Sequence, residues 1–207
     1  MNREKEGLAH VRNLYQTGNE RSILFLTMGV ILLSFIATAM NSLASTAFTR
    51  EGAHLSLVKY IPVPYRMQMY AKAFISLSIT YPPLLLCVII AGIYLNMHPV
   101  WYVYYALIIL LCVTITTVIG MALDSAHPHS TWDDEYSALR GNLNTFFDMA
   151  VVMVISVLIC AAAFLCYHFF APPLLLLHVI LAILMLVATV FSVLFGQNMV
   201  IKNMCDM

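Results

Sequence analysis

Apolar positions in this chain come in long unbroken runs separated by short polar stretches, and the lengths of those runs fix the first reading. A helix that crosses a bilayer needs about 20 consecutive, mainly apolar residues. Five stretches meet that length: residues 22–45, 73–95, 100–123, 145–167 and 173–200. None contains Lys or Arg, and one acid, Asp148, falls among all five. The pattern predicts an all-α fold, a polytopic transmembrane helical bundle of about five spans. Residues 1–21 form a polar N-terminal segment of mixed charge, and residues 22–207 form the membrane domain with two charged loops, 46–72 and 124–144. The N-terminal segment lacks the short basic start and early apolar stretch of a secretory signal peptide.

Composition agrees with the runs. Of 207 residues, 62% are hydrophobic and 10% are charged, against roughly 25% charged in an average soluble domain. Lipid is the solvent that suits such a surface, so membrane lipids are expected neighbours and the expected location is the cell membrane. The formal net charge is zero with no long basic stretch, so no nucleic-acid partner is expected. Five cysteines show no CxxC or Cys/His metal spacing and read as packing residues.

Loop chemistry alternates. Segments 96–99 and 168–172 are short, uncharged and flanked by aromatics, as an interfacial belt would be. Loops 46–72 and 124–144 are long and charged. With five spans, both charged loops and the C-terminus share one face. That face carries Arg50, Lys59, Arg66, Lys72, Arg140 and Lys202, against Arg3, Lys5, Arg12 and Arg21 on the other. The excess of basic residues assigns the charged loops to the cytoplasm.

Within the spans, Ser34, Thr38 and Ser42 recur at four-residue spacing, with Ala37, Asn41 and Ser45 beside them. Such a stripe serves close helix packing or lines a substrate path, and spacing does not separate the two. Pro82 and Pro83 predict a kink in the second span, either structural or at a transport site. Asp148, about one turn inside the fourth span, is a functional candidate because an intramembrane acid is costly. Asn41, Ser42, Pro82, Pro83 and Asp148 are therefore the candidates for a translocation path. His178 reads as a packed or interfacial histidine.

The first charged loop reads Thr49-Arg50-Glu51-Gly52, then 53–60, then Ile61-Pro62-Val63-Pro64. Leu55, Val58, Phe48 and Ile61 repeat on one helical face, with Arg50, Glu51, His54 and Lys59 polar, so a short amphipathic helix over 50–60 is expected, stopped by Pro62. It lies on the membrane surface or docks to a partner. The second loop contains Asp124, His127, Pro128, His129, Trp132, Asp133, Asp134, Glu135 and Arg140, then Asn142-Leu143-Asn144. Its composition is ligand-like, but the spacing matches no standard metal site. It reads as a solvated acidic loop or a protein contact, with no metal expected.

These two loops resemble those of permease subunits of bacterial ATP-binding-cassette (ABC) transporters, of the type-2, exporter-like class. That family carries a Ser-Arg-Glu-Gly stretch, an apolar segment, a Leu/Ile-Pro turn and a later Lys, matched here by Thr49 to Gly52, Leu57, Ile61-Pro62 and Lys72. Its second loop carries an Asp, a Pro, a Trp-Asp-Asn-Glu cluster and an Asn-x-Asn. Asp124, Pro128, Trp132 to Glu135, and Asn142 with Asn144 correspond, with Asp134 in place of Asn. The resemblance covers roughly residues 40–200, the C-terminal half of a typical member. It implies that 50–60 is a coupling helix docking on a separate ABC ATPase through Arg50, Glu51, Gly52, His54, Leu55, Val58, Lys59 and Pro62. It also implies that ATP and Mg bind that partner and that a second permease chain or a homo-oligomer completes the pathway. No GxxxxGK[ST] loop is present, so this chain is expected to bind no cofactor and catalyse no reaction. A non-transporting scaffold or accessory subunit, or one half of a split permease, is the alternative. An intramembrane enzyme would need HExxH, GxSxG or paired acids, and none occurs.

Overall fold

The computed structural model describes residues 20–129, 132, 142–170 and 172–206. Five helices, α1 (Glu20–Met40), α2 (Tyr65–Leu95), α3 (Pro99–Ala126), α4 (Leu143–Phe170) and α5 (Leu174–Asp206), are joined by a 3₁₀ segment, Thr49–Tyr60, between α1 and α2. All five are long and apolar enough to cross a membrane. The protein is an all-α bundle of five spans. The polar segment 1–21 lies, up to residue 19, outside the described residues.

Helix α3 is the centre. It touches all four other spans, and its contact with α5 is the most extensive. Two-thirds of its apolar window (67%) is buried, against 11% for α2, which sits at the periphery. Between α1, α3, α4 and α5 the core is built from Ile31, Phe35, Ile108, Cys112, Ile115, Val152, Leu181 and Met185. Large apolar side chains face outward all along α2 and α5, including Phe74, Ile90, Ile93, Phe191 and Phe195. Water would make such a surface unstable; lipid accepts it. Because lipid is as apolar as leucine, packing rather than hydrophobicity holds the helices together. At Gly196, an added Cβ would lie 2.3 Å from Val118 Cγ1, so the missing side chain is what lets α5 close on α3.

Helix ends follow local chemistry. Asn96, in the left-handed region (φ 52°, ψ 50°), closes α2 with its N–H directed to the Gly92 and Ile93 carbonyls. Pro99 opens α3 at its first turn, where a missing N–H is harmless. Near this end His178 is buried, with its ring nitrogens 2.9 Å from Thr27 Oγ1 and 2.8 Å from the Leu174 carbonyl and the Trp101 and Tyr104 rings against it. It is a packed histidine.

Three boundaries move from the sequence reading. Helix α1 stops at Met40, and 41–48 turns sharply, with the Asn41 N–H bonded to the Ala37 and Thr38 carbonyls. Helix α2 begins at Tyr65, eight residues before its apolar run, because Tyr65 to Lys72 is helical but too polar to register as membrane span. Asp124 belongs to the last turn of α3 and not to a loop. Pro82 and Pro83 lie within a continuous helix and on its exposed face.

Candidate functional site

The two charged loops converge on one buried carboxylate. Asp124 is fully inaccessible. One of its oxygens accepts from the backbone N–H of Phe48 (2.6 Å) and of Thr49 (3.0 Å). The other accepts from the Thr49 hydroxyl (2.6 Å) and the Asn144 amide (3.1 Å). The first N–H groups of a helical segment have no partner within it; here a carboxylate from α3 supplies one for the 3₁₀ segment. Four neutral donors on one carboxylate are the arrangement by which an anion is kept in a dry place.

Thr49 is the second hub. Its hydroxyl also accepts from the His129 backbone N–H (3.0 Å) and the Asn142 side chain (3.2 Å), and its carbonyl accepts from the Trp132 indole (2.8 Å). Asn142 caps α4, its side-chain oxygen accepting from the Asn144 N–H at 2.9 Å. Asn144 reaches back to the His127 carbonyl at 2.8 Å. Asn203 of α5 donates to the Ser125 hydroxyl at 3.0 Å. Four elements are thus tied at one end of the bundle.

Gly52 breaks the 3₁₀ segment with φ 51° and ψ −129°. A Cβ there would lie 2.7 Å from the Trp132 ring, so glycine is demanded twice, by the backbone angle and by the indole packed on it. Lys72, from the early turns of α2, pairs with the Glu51 carboxylate, donates to the Ala47 carbonyl (2.8 Å) and lies 5.0 Å over the Phe48 ring. Arg50 donates to the Leu43 (2.9 Å) and Thr46 (3.3 Å) carbonyls and so closes the turn after α1.

No protein-family model, curated protein or solved structure matches the chain.

The sequence candidates divide in space. Arg50, Glu51 and Gly52 are engaged within the chain, while Arg50 remains exposed and Glu51 half-buried. His54, Tyr60, Ile61 and Pro62 are exposed, Tyr60 at 81%. The side chains of Leu55, Val58 and Lys59 lie outside the described residues, as do Asp133, Asp134 and Glu135. Asp124 is buried and not solvated, because it is the acceptor for the segment beginning at Phe48. Of the path candidates, Asn41 donates to Thr80 Oγ1 at 2.8 Å, joining α1 to α2. The Ser42 carbonyl accepts from Thr46 at 2.7 Å. Ser34 and Thr38 are buried and bond back to carbonyls of their own helix. Pro82 and Pro83 face away from the bundle, and Asp148 faces into it.

Residues the sequence reading left out as site members are Phe48, Thr49, Lys72, Asn142 and Asn144. Asn-x-Asn just before an apolar run is a helix-start signal, and that signal was available. Nothing in the sequence pairs Thr49 with Asp124. Among the described residues, no three His, Cys, Asp or Glu side chains are placed to hold a metal. A groove of about 790 Å³ borders the network, lined by His127, Pro128, His129, Asn142, Asn144 and Met199 among others.

Proposed function

We propose that this chain is the membrane-spanning subunit of an ABC transporter of the type-2, exporter-like class, in a bacterial cell membrane with its charged loops in the cytoplasm. In this reading, ATP and Mg act on a separate ATPase subunit. The supporting observation is that the two motif-bearing loops, far apart in sequence, meet in one buried hydrogen-bond network centred on Asp124 and Thr49. A docking element works as a lever if its root is rigid and its tip is free. The root here is held by α2, α3 and α4, while His54, Tyr60 and Ile61 stay open at the tip.

Mechanistically, closure of an ATPase pair pushes the Thr49–Tyr60 segment. The network transmits that push to the ends of α3 and α4 and to Lys72 on α2, and the spans exchange between two packings. A second permease chain or a homo-oligomer completes the pathway; with 11% of its apolar window buried, α2 is open to such a partner as well as to lipid.

The test is co-purification of the tagged full chain from detergent-solubilised native membranes. Recovery of a phosphate-loop ATPase, lost in His54→Glu/Tyr60→Ala but kept in an exposed lipid-face variant such as Phe191→Leu, is the expected result. Absence of any ATPase from membranes that express one favours a scaffold role.

A further inference from the structure

Helices α3 and α5 meet differently at their two ends. Toward the charged loops they close on each other at Val118 and Gly196. Toward the short loops three rings stand between them: Trp101 and Tyr104 of α3 lie 4.8 Å and 5.2 Å from the His178 ring of α5, centroid to centroid. Beside this wedge is a cavity of about 380 Å³. Its buried and half-buried members, Trp101, Tyr104, Leu111, His178 and Ala182, form a floor. Val100 and Leu107 on α3, with Leu175 and Ile183 on α5, are exposed and form the rims. The cavity is thus a groove that opens sideways, away from the bundle.

The lining offers little to a polar ligand. His178 has both ring nitrogens engaged, with Thr27 Oγ1 and the Leu174 carbonyl, and the Tyr104 hydroxyl donates to the His178 carbonyl at 3.4 Å. No charged side chain lines the groove. Trp101, in the first turn of α3, is at headgroup level, where indoles gather in membrane proteins. The groove begins where the apolar runs at 100 and 173 begin, so its depth is the hydrocarbon zone and its solvent is lipid. Helix rise sets its length. It follows α3 from Val100 to Leu111 and α5 from Leu175 to Leu186, which at 1.5 Å per residue is about 16 Å along each helix. The hydrocarbon core of a bilayer is about 30 Å thick, so one leaflet supplies about 15 Å. The groove therefore runs from headgroup level to the middle of the membrane. Left empty, it forfeits dispersion contacts along its whole lining, and the solvent that can restore them at this depth is hydrocarbon.

We propose that the groove between α3 and α5 is a binding site for one acyl chain of a phospholipid from the leaflet beside the short loops. The acyl chain lies along the two helices, with its ester end near Val100 and Leu175 and its terminal methyl near Leu111 and Leu186. Because the contacts are with hydrocarbon, the site reads chain length and leaves the headgroup unread. Occupancy supplies the contacts that the aromatic wedge denies to α3 and α5, and so stabilises their halves next to the short loops. Ala182 sets the clearance, since a larger side chain there would take up the groove itself. The site does not depend on the ABC reading.

The test uses the purified full-length protein in detergent, titrated with phosphatidylglycerol carrying two sixteen-carbon chains, with bound lipid counted by native mass spectrometry. Saturation at about one lipid per protein is expected, with a rise in the thermal midpoint. Phosphatidylcholine with the same chains should bind equally, and phosphatidylglycerol with eight-carbon chains roughly tenfold more weakly. Ala182→Phe is expected to lose the bound lipid while keeping its helical circular dichroism. Ala162→Phe, on the exposed face of α4, should retain it. A wild-type protein with no saturable lipid overturns the site. So does binding that follows headgroup and not chain length, or that persists undiminished in folded Ala182→Phe. The chain-length comparison needs no variant, so it decides the matter if Ala182→Phe fails to fold.

Discussion

The Asp124 carboxylate and Thr49, 75 positions apart in sequence, share two hydrogen bonds, from the Thr49 hydroxyl at 2.6 Å and from its backbone N–H at 3.0 Å. This pairing makes the end of α3 the anchor of the first charged loop. Removing the acceptor leaves the Phe48 and Thr49 donors buried and unpaired, each costing about 1–3 kcal/mol. Asp124→Ala is therefore expected to lower the thermal midpoint of the detergent-solubilised protein more than any other single change in the loops. Thr49→Ser, which keeps the hydroxyl, should stay near wild type, while Thr49→Val should not. Equal midpoints for Thr49→Ser and Thr49→Val would remove Thr49 from its place as a hub.

Gly52 carries both a positive φ and an indole against it. Gly52→Ala is expected to destabilise the loop by about 1–3 kcal/mol through backbone strain and crowding. Limited proteolysis reads this as faster cleavage within the segment. In a Trp132→Ala background the crowding is gone and the strain remains, so the added effect of Gly52→Ala should shrink without vanishing. A cost unchanged in that background would mean that Trp132 exerts no pressure there.

The Lys72–Glu51 pair is partly exposed, at 18% and 30% of their side chains. Screening by water holds such a pair to about 1 kcal/mol or less. Glu51→Lys is accordingly expected to leave the fold intact. On the proposed function, it uncouples ATP hydrolysis from transport in reconstituted vesicles, and the exchanged pair Glu51→Lys/Lys72→Glu regains coupling. Full coupling in Glu51→Lys would detach this pair from force transmission.

Close approach of α5 to α3 depends on Gly196. Gly196→Ala places a methyl where Val118 Cγ1 already stands, and overpacking of this kind costs roughly 1–3 kcal/mol. A lowered thermal midpoint is expected, with Val118→Ala restoring part of the loss in the double variant. Additive destabilisation by the two changes would mean that they do not share this contact.

Five spans, their order and the pairing of both charged loops on one face were legible in the sequence. Hydropathy over 20 residues is a local property that the bilayer enforces directly, and chain alternation does the rest. The break before Pro62 was legible for the same reason, since proline acts on its own backbone. Where helices began was less so. The early turns of α2, from Tyr65 to Lys72, are amphipathic and polar enough to read as loop, yet Met69 is buried against Phe48, Met121 and Val200. Only the tertiary structure decided which polar residues face inward. Asp124, just past the third apolar run, reads as a loop residue, and Asp148, one turn inside the fourth, reads as the intramembrane acid. Fold geometry gives the first four donors and leaves an oxygen of the second without any. For Arg50 and Glu51, which read as outward contacts, the fold adds bonds to Leu43, Thr46 and Lys72 that the sequence does not show. Hydrogen bonds are short-ranged and directional. Their partners are set by which helices pack together, and that choice is made by side-chain fit along α3 rather than by any pattern within a single segment.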